Sequence, residues 1–475
     1  MRVRLRAALT WTFAVACSAQ GPARPEVVVV LDTDAPLVGE LALHPELSPD
    51  SAVDTLRIDV LDDADDIVDL RSFLVADLES WPVSFGVVPP PTGDVRLRIR
   101  LFRALFATAG TAAGMAVLDP PPQTTIERLV RVAAPSGVLR VGVLLTEDCL
   151  GTASSFLAPE TTCIDASELG GPPTDGVTPV SGDPAPTVAG TWAPAREVPC
   201  ASSPKAGTRC IPGGFSILGE EVIAGSSLVG FDPVPLRPAV VSPFLLDTDE
   251  YTVGRFRALL QRGPFKGPLP QLGIPSDPDL KYCTWLGATA PANDHFALNC
   301  VYWQTAMLAC QAEGGTLPSE AQWEHAARGR GQRRLYPWGN EDATCCAASV
   351  SRTGPPPYDG LCAGFGMQTV GSHPATAACG GLGDVSRDGV LDMLGSLTEA
   401  MADSLDQYDA PCWSSAGILT DPICRDPASP YAARGSNWNS DPDVTLPTRL
   451  PWQPDGRYVT GGFRCVYPSA GGTSP

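Results

Sequence analysis

Alternation of apolar and charged residues predicts β-strands in the first third of the chain. Within residues 56–60, and again within residues 95–101, apolar side chains alternate with arginine or aspartate, the two-residue period of a half-buried strand. Residues 26–31 and 138–145 are apolar runs that predict further buried strands. Short strands separated by turn signals favour an all-β, antiparallel sandwich, immunoglobulin-like, over residues 24–168.

Three arginines, Arg96, Arg98 and Arg100, share one face of the strand predicted over residues 95–101. Such a row of positive charge is compatible with an anion-binding face. Charged side chains also protect the exposed edges of sheets. We therefore interpret the row as the solvated face of an edge strand.

The composition of the remaining chain marks a linker and a second domain. Residues 169–197 are rich in Gly, Pro and Thr without a period, which predicts a linker. A second domain is expected over residues 198–468, with a helix over residues 306–314, followed by a tail at 469–475. With 47 Gly, 49 Pro and only 18% charged residues, the chain favours sheet, turns and irregular loops over helix bundles.

The first 17 residues have the pattern of an export signal. Arginines at positions 2, 4 and 6 precede a short apolar run, and residues 14–17 read A-V-A-C. This order predicts a secretory signal peptide with a lipobox, in which Cys17 is lipidated and becomes the mature N-terminus. The alternative is simple cleavage near Ala19. We expect an exported protein anchored by lipid in a bacterial cell envelope, on the periplasmic side or the outer surface.

Charge and cysteine content narrow the function classes. The formal net charge of −20 would repel a phosphate backbone, so nucleic acid is not an expected partner. Besides Cys17 there are 14 cysteines, an even set that predicts structural disulfides in an oxidising compartment. Zinc is disfavoured because there is no C-x-x-C pair and only four histidines are present. Pairs that are close in sequence are Cys149–Cys163, Cys200–Cys210 and Cys412–Cys424.

An ordered set of motifs in the second domain resembles one enzyme family. Residues 316–329 read T-L-P-S-E-A-Q-W-E-H-A-A-R-G, and residues 336–340 read Y-P-W-G-N. The flanking motifs are I-P-G-G-F at 211–215, F-L-L-D-T-D-E-Y-T at 244–252, N-C-V-Y-W at 299–303, L-D-M-L-G at 391–395, R-G-S-N-W at 434–438 and G-F-R-C at 462–465. Together they resemble the formylglycine-generating enzyme (sulfatase-modifying factor) family.

The resemblance implies a mixed α+β domain with little regular secondary structure, related to the C-type lectin fold. Active members oxidise a cysteine of a C-x-P-x-R motif to formylglycine with oxygen and copper(I), which two thiolates hold. Depending on how the loop is aligned, Asn439 or Ser440 takes the first thiolate position here, and Val444 or Thr445 takes the second. None of these side chains replaces a thiolate for copper(I). We therefore expect no copper and name no catalytic residue.

The resemblance also implies a calcium site. Family enzymes bind calcium around N/D-x-x-G-x-x-x-E, and Asp392, Gly395, Leu397 and Glu399 fall on those positions. Carboxylate and carbonyl oxygens are the ligands that calcium prefers. The alternative is an ordinary acidic turn.

Three other residues inside the family motifs have structural interpretations. Trp323 and Trp338 are interpreted as core packing rather than as a platform for sugars. Arg464 is interpreted as a buried ion pair rather than as a ligand contact.

The leading functional hypothesis is a non-catalytic, cell-envelope lipoprotein whose second domain is a binding or structural module. Its partners would be the membrane, through the N-terminal lipid, and an envelope protein or glycan. The alternative is an enzyme of the same family, an oxidoreductase on protein or small-molecule thiols with altered metal chemistry. A purely structural envelope component without a small-molecule site is a third possibility.

Overall fold

The computed structural model describes eight stretches of the chain. They are residues 24–37, 53–90, 93–182, 185–220, 233–332, 334–354, 360–413 and 417–469. The predicted signal peptide, Cys17 and residues 470–475 of the predicted tail lie outside the described residues. Within the described part the secondary structure is mostly β, with three α-helices.

The N-terminal part consists of two four-stranded sheets and a hairpin. Its strands are β1 (Glu26–Thr33), β2 (Thr55–Leu61), β3 (Ile67–Leu74), β4 (Val83–Val87), β5 (Val95–Phe102), β6 (Thr108–Ala112), β7 (Met115–Asp119), β8 (Thr125–Val132), β9 (Val138–Leu145) and β10 (Val177–Pro179). One sheet has the order β10-β9-β1-β4 and the other β3-β2-β5-β8, while β6 pairs with β7. Buried apolar residues of both sheets form one core. Because β1 runs parallel to β9, the first sheet is mixed and not purely antiparallel as predicted.

The interpretation of the arginine row as the face of an edge strand is wrong. β5 lies between β2 and β8, inside its sheet. Asp59 on β2 is fully buried, and its carboxylate accepts hydrogen bonds from Arg57 Nε at 2.8 Å and from Arg100 Nη2 at 2.7 Å. Arg98 pairs with Glu127 at 2.7 Å. Acidic partners on neighbouring strands therefore compensate these charges, which the local alternation of residues does not reveal.

The segment expected as a linker is folded against the sheets. β10 pairs with β9, and Trp192 is buried with its indole Nε1 donating to Asp148 Oδ1 at 2.9 Å. Trp192 also makes an edge contact with Phe215 of the following part, with 6.3 Å between ring centroids. Phe215 belongs to the same hydrophobic core as the two sheets. The N-terminal and C-terminal parts are therefore joined by packed side chains as well as by the chain.

The C-terminal part combines three small sheets with three helices and long loops. Its strands are β11 (Thr208–Ile211), β12 (Gly214–Leu218), β13 (Arg237–Val241), β14 (Phe244–Asp247), β15 (Thr398–Ser404), β16 (Leu419–Thr420), β17 (Tyr431–Arg434), β18 (Arg449–Trp452), β19 (Gly461–Gly462) and β20 (Val466–Pro468). The sheet orders are β11-β14-β20, β12-β13-β16 and β18-β17-β15-β19. The helices are α1 (Val253–Arg262), α2 (Trp303–Ala312) and α3 (Glu320–Ala327). This content agrees with the predicted domain of little regular structure.

Local sequence explains where the helices begin. The Thr252 side chain accepts a hydrogen bond from the backbone N–H of Arg255 and caps α1. Ser319 and Gln322 form a capping box at the start of α3. All eight residues of α3 are buried, including Trp323, which confirms its interpretation as core packing. Trp338 is half-buried and stacks on Tyr336 at 5.2 Å.

Seven disulfides hold the described residues together. They are Cys149–Cys163, Cys200–Cys210, Cys283–Cys300, Cys310–Cys465, Cys345–Cys362, Cys346–Cys379 and Cys412–Cys424. The three pairs proposed from sequence proximity are confirmed. So many disulfides indicate an exported protein, because they persist in oxidising compartments. In the part of the chain that the structure describes, no helix has the length and apolar character needed to cross a membrane.

Candidate functional site

The loop after β17 lies where the resemblance places two copper-binding cysteines. Asn439 is exposed, Ser440 and Val444 are half-buried, and Thr445 is buried. The Ser440 hydroxyl accepts a hydrogen bond from the backbone N–H of Asn437 at 3.0 Å. All 14 cysteines of the described residues are in disulfides, so no thiolate pair is available among them. The loop therefore presents amide, hydroxyl and methyl groups where copper chemistry requires sulfur.

Backbone hydrogen bonds hold this loop in place. The N–H of Trp438 donates to the carbonyl of Ser396 at 3.0 Å, and the carbonyl of Trp438 accepts from Arg352 N–H at 2.7 Å. The carbonyl of Ser440 accepts from Ser351 N–H at 2.9 Å. Ser396 lies inside the predicted calcium motif. The loop and that motif are thus parts of one connected arrangement.

An open cleft of about 500 Å³ lies beside Asn439. Its walls combine the aromatic rings of Tyr282, Trp438 and Tyr458 with the polar side chains of Asp279, Asn439 and Arg457. Ligand sites commonly have this composition, with apolar walls and a few polar groups that orient the ligand. A cleft is therefore present although the thiolates are not.

Two rings of the cleft wall, those of Tyr282 and Trp438, pack with the ring of Phe365, which does not line the cleft. Tyr282 and Phe365 are stacked with 4.8 Å between their centroids. The indole of Trp438 lies 5.6 Å from each of them. Such contacts fix the rings relative to one another. A ligand in the cleft would meet a preformed apolar surface rather than mobile side chains.

Two of the predicted calcium residues, Asp392 and Glu399, contact Arg464, which bonds the backbone carbonyl of the first and the carboxylate of the second. Asp392 and Gly395 have positive φ values of 55° and 82°, which turn the chain sharply before β15. Asp392 Oδ2 accepts a hydrogen bond from Gly371 N–H at 2.6 Å, and Leu397 N–H donates to Glu250 Oε1 at 2.9 Å.

Both oxygens of Glu399 accept hydrogen bonds from the Arg464 guanidinium at 2.6–2.9 Å. Arg464 is fully buried, which confirms its interpretation as a structural ion pair.

Negative charge exceeds positive charge in this buried cluster. Four buried carboxylates, those of Glu250, Asp384, Asp392 and Glu399, surround one guanidinium. Burial, followed by repulsion from Asp392, raises the pKa of Glu250 and of Asp384 well above their ordinary values. Burial likewise raises the pKa of Asp392 to about 6. The excess of carboxylates over guanidinium groups would therefore favour the binding of a further cation in this cluster.

The oxygen donors fit calcium in part. Among the described residues, the Asp392 carboxylate forms no ion pair within 4 Å with an arginine, whereas both oxygens of Glu399 are already used by Arg464 and one also by Trp323 Nε1. Within the described residues, three acidic, Cys or His ligand atoms converge only at Asp406, Cys412 and Cys424. That pair of cysteines forms a disulfide. A calcium ion at Asp392 would thus need backbone carbonyl oxygens, as the motif implies, and the site stays a prediction.

Two members of the acidic cluster, Glu250 and Asp384, were not predicted from the sequence. Glu250 follows β14, and Asp384 accepts backbone hydrogen bonds from Met393 and Leu394 at 2.9–3.0 Å. Both lie in or near motifs that were identified, but their chain positions are 142 and 8 residues before Asp392. Glu250 could have been singled out inside the motif at residues 244–252, whereas Asp384 lies seven residues before the motif at 391–395. Only the fold shows that they face the same guanidinium.

The chain belongs to the sulfatase-modifying factor enzyme 1-like domain family, whose model matches residues 195–468. Formylglycine-generating enzyme of Bos taurus is 48% identical over 48 residues, which cover 10% of this chain and 13% of that protein. Inactive C-alpha-formylglycine-generating enzyme 2 of Mus musculus is 24% identical over 292 residues, 54% of this chain and 84% of that protein. The family is thus established, while the match to the cattle enzyme spans about an eighth of its length.

Among solved structures, PvdO from Pseudomonas aeruginosa is similar to this chain at 21% sequence identity and a TM-score of 0.39. The match covers 56% of this chain and 95% of PvdO.

Proposed function

We propose that the protein is a bacterial cell-envelope lipoprotein whose family domain is a non-catalytic binding or structural module. The observation that carries the proposal is the loop at residues 435–448, which offers no sulfur where copper(I) would bind, while the cysteines of the described residues are all disulfide-bonded. The similarity to a mouse protein named as an inactive formylglycine-generating enzyme is in keeping with it. Cys17 would carry the lipid that anchors the protein in the envelope.

The cleft beside Asn439 is the proposed binding site of this module. Its ligand would be a segment of an envelope protein or a glycan, since both combine apolar faces with hydrogen-bonding groups that match the aromatic and polar walls. The N-terminal sheets, for which an immunoglobulin-like connectivity is proposed, would hold the cleft away from the membrane. The second candidate is a family oxidoreductase with altered metal chemistry, for which the accessible cleft is the favouring observation.

A peptide-oxidation assay separates the two candidates. The disulfide-intact chain is incubated with copper(I), oxygen and a C-x-P-x-R peptide, and the peptide mass is followed. We expect an unchanged peptide, because no thiolate pair can hold copper(I) beside the substrate thiol. An active family member converting the same peptide serves as the positive control. Conversion of the thiol to an aldehyde by this chain would overturn the non-catalytic proposal.

Calcium at Asp392 is proposed as a structural ion of the module. Adding calcium to the chelator-treated protein should raise its midpoint of thermal unfolding, with a gain of about 2.7 kcal/mol at 100-fold excess over Kd. Asp392→Asn should abolish this gain, because it removes a buried carboxylate of the predicted motif, whereas the other one, that of Glu399, is already bound by Arg464.

Asp441→Asn, at an exposed aspartate, is the matched control and should respond like the wild type. An equal calcium response in the Asp392 and Asp441 variants would place the ion elsewhere.

A further inference from the structure

A second cavity lies between helix α1, the end of helix α2 and the turn before β11. Its volume is about 690 Å³, and it shares no lining residue with the cleft beside Asn439. Cavities of this size commonly accommodate small molecules. Glu250 lines this cavity and also belongs to the acidic cluster around Arg464, but none of the four residues of the predicted calcium motif lines it.

Ion pairs between side chains of the protein lie along the walls of this cavity. Arg255 donates from Nε to Glu313 Oε2 at 2.7 Å and from Nη1 to Asp247 Oδ2 at 2.8 Å, and its Nη2 contacts the Tyr467 hydroxyl. Arg262 is paired with Glu313 as well. The two arginines therefore use their charge on groups of the protein itself. These ion pairs hold the walls of the cavity in place, so a ligand would bind to other lining groups.

Three charged groups that line the cavity could form further hydrogen bonds or ion pairs with a ligand. Asp247 is 1% exposed, and its Oδ1 has no hydrogen-bond partner among the described residues. Asp249 is half-buried in the same wall and forms no ion pair within the part that the structure covers. The Lys205 ammonium lies 4.7 Å from the centroid of the Tyr467 ring and likewise has no acidic partner there. The cavity thus combines unmatched carboxylate oxygens with one unmatched ammonium.

A buried carboxylate oxygen without a donor is unfavourable, so the wall at Asp247 and Asp249 favours a ligand that brings N–H groups. An ammonium group supplies three such donors. Burial raises the pKa of the Asp247 carboxyl, whereas the Arg255 guanidinium acts in the opposite direction.

Ligands that carry one kind of charge fit the cavity less well. A metal cation would face the Lys205 ammonium, and an inorganic anion would face the carboxyl groups of Asp247, Asp249 and Glu250. A molecule with both an amino group and a carboxylate satisfies both walls. We propose that this cavity binds a small zwitterion, with its ammonium at Asp247 and Asp249 and its carboxylate at Lys205.

Amino acids of graded length test the proposal on the disulfide-intact chain. Calorimetric titration with glycine, β-alanine, 4-aminobutyrate and 6-aminohexanoate should reveal one length that binds best. That compound should bind at least about tenfold more tightly than hexylamine or hexanoate, which carry only one of the two charges. Absence of binding by the whole series at about 10 mM, or equal binding by a single-charge compound, would overturn the proposal.

Two variants locate the binding. Lys205→Met should reduce affinity for the best amino acid to that of hexylamine, and Asp249→Asn should reduce it to that of hexanoate. Asp279→Asn, in the cleft beside Asn439, should leave the affinity unchanged and so separates this site from the proposed function. Unchanged circular dichroism and thermal unfolding show that the variants are folded. Wild-type affinity in both cavity variants would contradict the assignment.

Discussion

Replacing Arg464 with methionine should cost about 3–5 kcal/mol of folding stability, because it removes the cation from a buried acidic cluster. The guanidinium donates to both oxygens of Glu399 and to the backbone carbonyls of Leu391 and Asp392 at 2.9–3.0 Å. Methionine has a similar volume and none of these donors. Since domains are stable by about 5–15 kcal/mol, much of the total would be lost.

The penalty should be larger at pH 8 than at pH 5. Burial raises the folded-state pKa of Glu250 and Asp384 well above ordinary values, and that of Asp392 to about 6. A raised carboxyl pKa gives stability that is complete below the unfolded value of about 4 and is lost as pH rises through the folded value. Without Arg464 these pKa values rise further, so ionisation above pH 6 becomes more costly.

Urea unfolding at both pH values, in calcium-free buffer, measures the effect. Arg262→Met is the matched control, because this arginine is 59% exposed and its ion pair with Glu313 should contribute less than about 1 kcal/mol. A penalty for Arg464→Met as small as that of the control, or one independent of pH, would show that the acidic cluster is balanced in another way.

Ordered motifs allowed more of the fold to be predicted than periodicity did. Local chemistry explains the start of α3, where Ser319 and Gln322 form a capping box, although the sequence there is interpreted only as a family motif. Helix α2 was expected over residues 306–314 and runs from Trp303 to Ala312 instead. Its first residue follows Tyr302, which makes no side-chain cap, so the sequence lacks a local start signal. The start of α2 depends on packing, so the residue pattern alone did not predict it.

Strand β15 shows why the core of the candidate site was harder to predict. Its sequence, T-E-A-M-A-D-S, is fully buried and has neither alternation nor many β-branched residues. Two acidic residues in it are satisfied by distant partners. Glu399 pairs with Arg464, and Asp403 accepts backbone hydrogen bonds from Glu320 and Cys424 at 2.8–2.9 Å. A polar residue at such a position is compatible with the core only once its partner is known.

The metal-binding chemistry of the candidate site and the shape of its cleft differ in how far the sequence predicts them. The missing thiolates could be identified from sequence, because cysteine is a discrete requirement of copper(I) binding. The shape of the cleft could not be predicted, because Tyr282 and Trp438, which line it, come from distant segments and pack with Phe365, which does not line it. The aromatic wall depends on their packing. A family resemblance therefore indicates where the candidate site lies in the sequence, whereas ligand preference depends on contacts that the fold creates.

Removing the Cys310–Cys465 disulfide should be the most destabilising loss among the disulfides of the C-terminal part. This bond joins helix α2 to the residue before β20 across a sequence separation of 155, the longest of the seven. The chain-entropy model gives about 5 kcal/mol for such a loop, and the three disulfides inside it reduce this to about 4–5 kcal/mol.

Cys200→Ala/Cys210→Ala is the matched control, because its separation of 10 predicts a loss of about 2.7 kcal/mol by the same model. Urea unfolding of both double-alanine variants, with the remaining disulfides intact, measures the difference. Equal losses would mean that local packing, and not restriction of the unfolded chain, determines what these bonds contribute. A larger loss at Cys310 and Cys465 would instead explain why this family domain, with little regular structure, depends on an oxidising compartment for its fold.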